Sequence, residues 1–158
     1  MKGKQEVIDA LNQCLGKELT AINQFMIHAK MCKDWGYGDL AAHGDREARE
    51  EMKHAENLME RILFLEGTPD MSTYDKIDIG ANVKEQIQND LKLELSNCEI
   101  LRSGIDTCQK AEDHVTRELF EHMLVEEEGH VDWLETQLRL ISEVGYERYL
   151  TEHIKGDE

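Results

Sequence analysis

Two short stretches of this sequence carry a glutamate and a histidine in a spacing that suits metal binding. They are Glu-Met-Lys-His at residues 51–54 and Glu-Glu-Gly-His at residues 127–130. Side chains three positions apart project from the same face of an α-helix, so the carboxylate and the imidazole of each stretch can reach one metal ion. A further glutamate stands equally far upstream of each stretch, Glu18 before the first and Glu94 before the second. This repeated spacing predicts one metal centre built from both copies of the pattern.

Glu18 and Glu94 occupy helical stripes that are otherwise apolar. The first stripe advances in steps of three and four residues and consists of Ile8, Leu11, Leu15, Glu18, Ile22, Met26 and Ala29. The equivalent stripe later in the chain consists of Ile87, Leu91, Glu94, Cys98, Leu101 and Ile105. A carboxylate that faces a protein core is costly unless it is paired or bound to a metal. The two glutamates are therefore predicted to bind cations inside the protein.

Six residues form the predicted centre, and symmetry divides them into two terminal pairs and one bridging pair. The terminal pairs are Glu18 with His54 and Glu94 with His130, and the bridging pair is Glu51 with Glu127. When both imidazoles are neutral, the set carries four negative charges, which two divalent cations neutralise. Oxygen-rich ligation with one histidine per metal suits iron or manganese better than copper or structural zinc. A single isolated pattern of this kind would equally suit a solvated pair on a helix surface.

The elements that must position these residues are four long helices. Hydrophobic periodicity and turn signals predict helices over residues 4–34, 39–65, 83–111 and 114–143, a short fifth helix over 146–154, and a long turn-rich connection over 66–82. A connection of this length can carry the chain along a whole bundle, so the second and third helices are predicted to run parallel. Four long helices with one crossover are typical of the ferritin-like bundle. The fold class is thus predicted to be all-α, with a single domain over residues 1–158.

The composition disfavours several classes of function. A net charge of −16 over 158 residues argues against nucleic acids and anionic membranes as partners and is compatible with the attraction of cations. Self-repulsion that keeps a protein in solution explains the same charge without any function. The longest apolar run, residues 62–65, is too short to cross a bilayer. With no targeting segment recognised, and four cysteines that lack metal-binding spacing and are expected to be reduced, a cytoplasmic location is predicted.

Over nearly its full length the sequence resembles bacterioferritins. The motifs that carry the resemblance are Met-Lys-Gly at 1–3, Leu-Thr-Ala-Ile-Asn-Gln at 19–24, Asp-Trp-Gly at 34–36, Glu-Met-Lys-His-Ala at 51–55, Glu-Arg-Ile-Leu-Phe-Leu-Glu-Gly at 60–67, Asp-Leu-Lys-Leu-Glu at 90–94, the segment 127–136 around Gly-His-Val-Asp-Trp-Leu, and Tyr-Leu at 149–150. The resemblance implies a hollow shell of twenty-four subunits, built from twofold dimers, that oxidises ferrous iron with O₂ or H₂O₂ and stores a ferric mineral. The six predicted ligands match the ferroxidase ligands of the family. The oxidant, and whether the shell is homo-oligomeric or contains mixed subunits, stay open.

The resemblance also implies haem b held between two subunits by one methionine from each. The matching residue is Met52, which follows Glu51 and so points about 100° away from it around the helix. Met52 therefore faces out of the bundle, as a twofold interface requires. Ligation by two thioethers would favour ferrous haem and an electron-transfer role, with a ferredoxin-like protein as an expected reductant.

Three departures from the family bear on the chemistry. Phe25 and Leu58 stand where many members have tyrosines, so neither can supply a phenolic electron, although Trp133 is retained. Arg46 replaces a histidine that contributes to an inner-surface iron site in the best-known members. Nearby carboxylates are expected to serve iron uptake or the inner surface, and they are Glu47, Glu50 and Glu126.

Two other classes of function fit parts of the pattern. A di-iron peroxidase or oxygenase, or a di-manganese catalase, would use the same fold and keep its metals. A non-catalytic helical interaction protein would place the glutamates on its surface, which the apolar stripes disfavour. The remaining histidines lack a motif partner and are predicted to be surface or packing residues: His28, His43, His114, His122 and His153.

Overall fold

The computed structural model describes residues 1–154, which fold into five α-helices with no β-strand among them. The helices are α1 (Gln5–Asp34), α2 (Gly38–Phe64), α3 (Val83–Ala111), α4 (His114–Val144) and α5 (Tyr146–Glu152). Each bound lies within two residues of its predicted place, so the all-α class and the ferritin-like helix order are confirmed. The predicted single domain extends to residue 158 and stays a prediction, because residues 155–158 lie outside the described part of the chain.

The connection between α2 and α3 runs along α1 from one end to the other. Side chains of α1 accept hydrogen bonds from successive backbone amides of this segment: Asn12 from Asp70 (2.8 Å), Thr20 from Asp75 (2.9 Å), Gln24 from Asp78 (3.0 Å) and His28 from Gly80 (3.0 Å). Gly16 permits this close approach, since a Cβ atom there would lie 2.7 Å from the carbonyl oxygen of Thr73. The segment therefore carries the chain the length of the bundle, and α2 and α3 run parallel as predicted.

Short turns join the helices of each hairpin, but the two turns are built differently. Gly36 adopts a φ of +90° between α1 and α2, where no side chain caps the start of α2. Between α3 and α4, Glu112 takes the left-handed conformation, and Asp113 caps α4 by accepting from the backbone amide of Thr116 at 3.0 Å. The same carboxylate accepts from the Arg61 guanidinium at 3.0 Å, which ties the second turn to α2.

Apolar side chains fill the bundle towards both ends, and the predicted ligands lie between them on every long helix. One cluster includes Leu11, Leu15, Leu58, Ile62, Leu101, Phe120 and Met123. The other includes Cys32, Leu40, Val83, Ile87, Leu134, Ile141 and Tyr149. Tyr149 brings α5 into this second cluster and donates a hydrogen bond to Gln137 at 2.8 Å. The packing at both ends therefore holds the four polar helix centres at one level.

Candidate metal centre

The structure brings all six predicted ligand residues into one buried cluster. The four glutamates are fully buried, and His54 and His130 are 3% and 8% exposed. Their ligand-type atoms form two overlapping groups, in each of which the atoms lie within 4.8 Å of one another: Glu18, Glu51, His54 and Glu127 in one, and Glu51, Glu94, Glu127 and His130 in the other. The two glutamates common to both groups are those predicted to bridge. Each group could hold one cation.

Both imidazoles turn the same ring atom towards the carboxylates. His54 Nδ1 lies 3.1 Å from Glu51, 3.0 Å from Glu127 and 3.5 Å from Glu18. His130 Nδ1 lies 3.0 Å from Glu51, 3.5 Å from Glu127 and 3.9 Å from Glu94. The three-residue spacing within α2 and α4 produces this convergence, because each histidine stands one helical turn from its own bridging glutamate.

Burial perturbs the pKa values of the cluster. Desolvation, reinforced by the charge of Glu51, holds the pKa values of Glu18 and Glu94 well above the usual range. Burial alone would lower the pKa of His54 and of His130, but hydrogen bonds to the surrounding carboxylates outweigh it and raise both. Without a cation the cluster therefore retains protons, and metal binding must release them.

Several buried carboxylate oxygens in the cluster accept no well-aligned hydrogen bond, although a histidine Nδ1 atom lies near some of them. They are Glu18 Oε2, Glu51 Oε1, both oxygens of Glu94 and both oxygens of Glu127. Native proteins rarely leave buried acceptors unpaired, and a bound cation is one of the few ways to satisfy them. The donor set and its unpaired atoms thus fit two divalent cations.

Nε2 of each histidine points away from the ligand cluster and contacts at least one of the carboxylates predicted to serve iron uptake or the inner surface. Glu126 contacts His54 Nε2, whereas His130 Nε2 lies 2.6 Å from Glu47 and 2.9 Å from Glu50. Such outer partners orient metal-binding imidazoles and increase their basicity. Burial acts to raise the pKa of Glu47, but hydrogen bonds from His130 and His43 outweigh it and lower the value to about 2.

Two contacts of the centre carried no recognisable signal in the sequence. Asn97, one turn after Glu94 on α3, donates to Glu18 at 3.3 Å and so links α3 to α1. His43 stacks on Trp133 with ring centroids 3.6 Å apart, and its Nε2 atom lies 3.1 Å from Glu47. Only the relative placement of α2 and α4 shows that these rings meet.

A groove between α2 and α4 leads from the surface to the centre. It has a volume of about 480 Å³, and its lining includes His54 and His130 together with Glu47, Glu50 and Glu126. An acidic approach of this kind attracts cations. Arg46 is exposed nearby on α2.

The other residues singled out in the sequence occupy varied positions. Met52 is 49% exposed on α2, whereas Phe25 and Leu58 are buried in the core. His28 is buried and bonds Asp90 at 2.9 Å, and His153 lies 2.6 Å from Asp39. His114 and His122 are exposed. Surface or packing roles stay the prediction for these four histidines, whereas His43 contacts Glu47 beside the centre. Within residues 1–154, none of the helices combines the length and apolarity needed to cross a bilayer.

Comparison with known proteins agrees with this architecture. The model of the ferritin-like domain family matches residues 8–144. A bacterioferritin from Brucella melitensis is 44% identical over 149 residues, which cover 94% of this chain and 92% of the relative. Bacterioferritins from Mycolicibacterium paratuberculosis and Rhodobacter capsulatus are 42% and 41% identical, covering 94% and 92% of this chain and 94% and 90% of those relatives. With this similarity over almost the whole length, the chain belongs to the bacterioferritin family of ferritin-like proteins.

Proposed function

We propose that this iron-storage protein oxidises ferrous iron at the buried centre before the iron is stored as a ferric mineral. The observation that carries the proposal is the pair of overlapping ligand groups, several of whose buried carboxylate oxygens accept no well-aligned hydrogen bond. Family membership supports iron as the cation and a multimeric shell as the store.

In this proposal two ferrous ions are substrates, each giving up one electron to an oxidant that accepts two. With dioxygen the balance is 2 Fe²⁺ + O₂ + 2 H⁺ → 2 Fe³⁺ + H₂O₂, and with peroxide it is 2 Fe²⁺ + H₂O₂ + 2 H⁺ → 2 Fe³⁺ + 2 H₂O. Glu18 with His54 and Glu94 with His130 hold one ion each, and Glu51 and Glu127 keep the two ions adjacent. The outer carboxylates fix the orientation of the imidazoles.

Stopped-flow absorbance after the addition of ferrous iron tests the proposal. Wild type should show a fast ferric signal, whereas Glu18→Ala and Glu94→Ala should lose this phase because each removes a terminal ligand. Glu99→Ala is the matched control, since Glu99 is an exposed glutamate on the same helix as Glu94. Wild-type kinetics in both ligand variants would reject the ligand set, and the absence of a fast phase in wild type would reject the activity.

The shell is proposed to contain twenty-four copies, an assembly supported by family membership. Native mass spectrometry and electron microscopy of the purified protein measure subunit number and shape directly. A compact dimer with no cavity would contradict storage and would instead favour a di-iron or di-manganese enzyme that retains its metals.

Haem b is proposed to bind between paired subunits through Met52 of each. The position fits, because Met52 is half-exposed on α2 while Glu51 and His54 beside it are buried towards the bundle interior. Bound haem would supply one-electron transfer, with a ferredoxin-like reductant as its partner. The visible spectrum of wild type should show a Soret band that Met52→Leu removes, and a band that survives the substitution would require another ligand.

A further inference from the structure

A second space adjoins the metal centre and is more apolar than the groove between α2 and α4. It is a cavity of about 60 Å³ lined by residues of all four long helices, among them Glu94 and His130. Most of its wall is apolar, formed by Phe25, Ala29, Leu40, Val83, Ile87 and Leu134. The ligand residues of one half of the centre therefore face an apolar chamber as well as the groove.

Several polar side chains in the cavity wall are paired with protein atoms, whereas both carboxylate oxygens of Glu94 accept no hydrogen bond. His28 bonds Asp90 at 2.9 Å and accepts from the Gly80 amide at 3.0 Å, while Gln86 accepts from the Cys32 thiol at 3.2 Å. A stable internal water needs two to four polar partners, and cavities that lack them stay dry and bind apolar atoms or molecules. The part of the chamber away from Glu94 thus offers few free polar partners and suits a small apolar ligand.

A thin partition separates the cavity from the groove. His43, Glu47, His130 and Trp133 line both spaces. The stacked rings of His43 and Trp133 form its flat part, and the contact between Glu47 and His130 closes the side near the ligands. The groove therefore lies on one side of these four side chains and the chamber on the other.

We infer that the apolar cavity is a binding chamber for dioxygen, which reaches the metal centre from the Glu94–His130 side and separately from ferrous iron. Dioxygen is small and apolar, and so it partitions into a mainly apolar space more readily than a hydrated cation or the hydrogen-bonding peroxide molecule does. The inference rests on the proposed ferroxidase activity and makes dioxygen, rather than peroxide, the oxidant that this chamber serves. Its reduction takes the two electrons and two protons already balanced above.

Xenon is a direct probe of the chamber and does not depend on any activity. Crystals of the assembled protein under xenon pressure should show one xenon atom per subunit between Ile87 and Leu134. Leu134→Phe and Ile87→Phe, two independent substitutions that fill the cavity, should each remove it. Leu138→Phe is the matched control, because Leu138 lies one turn further along α4 and lines an outer groove.

A second experiment compares the rates of iron oxidation by dioxygen and by peroxide in the same variants. Leu134→Phe and Ile87→Phe should slow dioxygen-driven oxidation roughly tenfold, which corresponds to a barrier about 1.4 kcal/mol higher, while peroxide-driven oxidation and the Leu138→Phe control stay at wild-type rates. An empty cavity under xenon would overturn the inference, as would unchanged dioxygen rates in both filled variants or an equal loss with both oxidants. A wild type that oxidises iron with neither reagent would instead overturn the proposed function and leave the xenon result standing.

Discussion

The two helical hairpins, α1–α2 and α3–α4, carry the same ligand pattern in different surroundings. In the repeat, Glu50 corresponds to Glu126, and each contacts the histidine of the opposite hairpin. Glu47 has no such counterpart, because Met123 occupies the equivalent position in the apolar core. His130 therefore has two outer carboxylates and His54 has one. Sequence duplication explains where the ligands lie, but it does not make the two halves of the centre equivalent.

The crossover adds a second asymmetry. Thr20, Gln24 and His28 of α1 bond its backbone, whereas the matching positions of α3 are Ser96, Ile100 and Gly104. The cavity is a third asymmetry, since it adjoins Glu94 and His130. Each difference can be tested by paired substitutions in the two hairpins.

The largest expected effect is on iron affinity, and it distinguishes ligands that belong to both metal positions from ligands that belong to one. Glu127→Gln should weaken iron binding at both metal positions by more than the roughly 10- to 100-fold typical of outer partners, because this carboxylate belongs to both ligand groups. Glu18→Gln should weaken only one position. Anaerobic calorimetric titration with ferrous iron counts the remaining tight sites, and Glu128→Gln, at an exposed neighbouring position, is the control. Equal losses in Glu127→Gln and Glu18→Gln would contradict the bridging assignment.

The next effect concerns the outer carboxylates. Glu126→Gln should reduce iron affinity roughly 10- to 100-fold, because it removes the carboxylate that contacts His54 Nε2. Glu50→Gln should cost less, since Glu47 still lies 2.6 Å from His130. The double variant Glu47→Gln/Glu50→Gln should then resemble Glu126→Gln. The same titration measures the iron affinity of all three variants. An equal loss of affinity in Glu50→Gln and Glu126→Gln would show that the two halves of the metal centre are equivalent.

A smaller effect on stability distinguishes the two turns. Asp113→Ala should destabilise the protein by about 1–2 kcal/mol, because it removes the cap of α4 and the partner of Arg61. Asp113→Asn should retain most of the capping contribution, since asparagine caps as well as aspartate. Denaturant unfolding measures both, and wild-type stability in Asp113→Ala would contradict the role.

The contribution of Asp113 to the free energy of unfolding should also depend on pH. Burial opposes the effect, but hydrogen bonds from Thr116 and the charge of Arg61 lower the pKa of Asp113. A depressed folded-state pKa means that the stabilisation is present above the unfolded value of about 3.9 and is lost as the pH falls through the folded value. The difference between wild type and Asp113→Ala should therefore narrow in acid, and a difference that is constant with pH would contradict this origin.

The smallest effect concerns the crossover. Thr20→Val should cost about 1 kcal/mol, because the backbone amide of Asp75 loses its acceptor at 2.9 Å. Ser96→Ala, at the matching and half-buried position of α3, should change stability by less than roughly 0.5 kcal/mol. Thermal unfolding compares the two, and similar losses at both positions would show that the crossover contact does not distinguish the hairpins.

The sequence predicted the local and repeated features well, because helix periodicity and ligand spacing are short-range properties. The helix bounds differ by no more than two residues from the prediction. The prediction that Met26 belongs to the first apolar stripe was wrong, since its side chain is 46% exposed rather than part of the core. Periodicity assigns a face to a residue, but whether another element covers that face depends on packing between helices.

For this protein, the amino-acid sequence by itself determined the helices, the crossover and the six residues that converge on the centre. It did so because side chains three and four positions apart share a helix face, and because buried carboxylates are tolerated only when they are compensated. Only the tertiary structure decided which carboxylates contact the outer ring atoms of His54 and His130, that His43 stacks on Trp133, and that an apolar cavity adjoins one half of the centre. These features arise between residues on different helices, whose rotation and separation are set by the packing of the whole bundle.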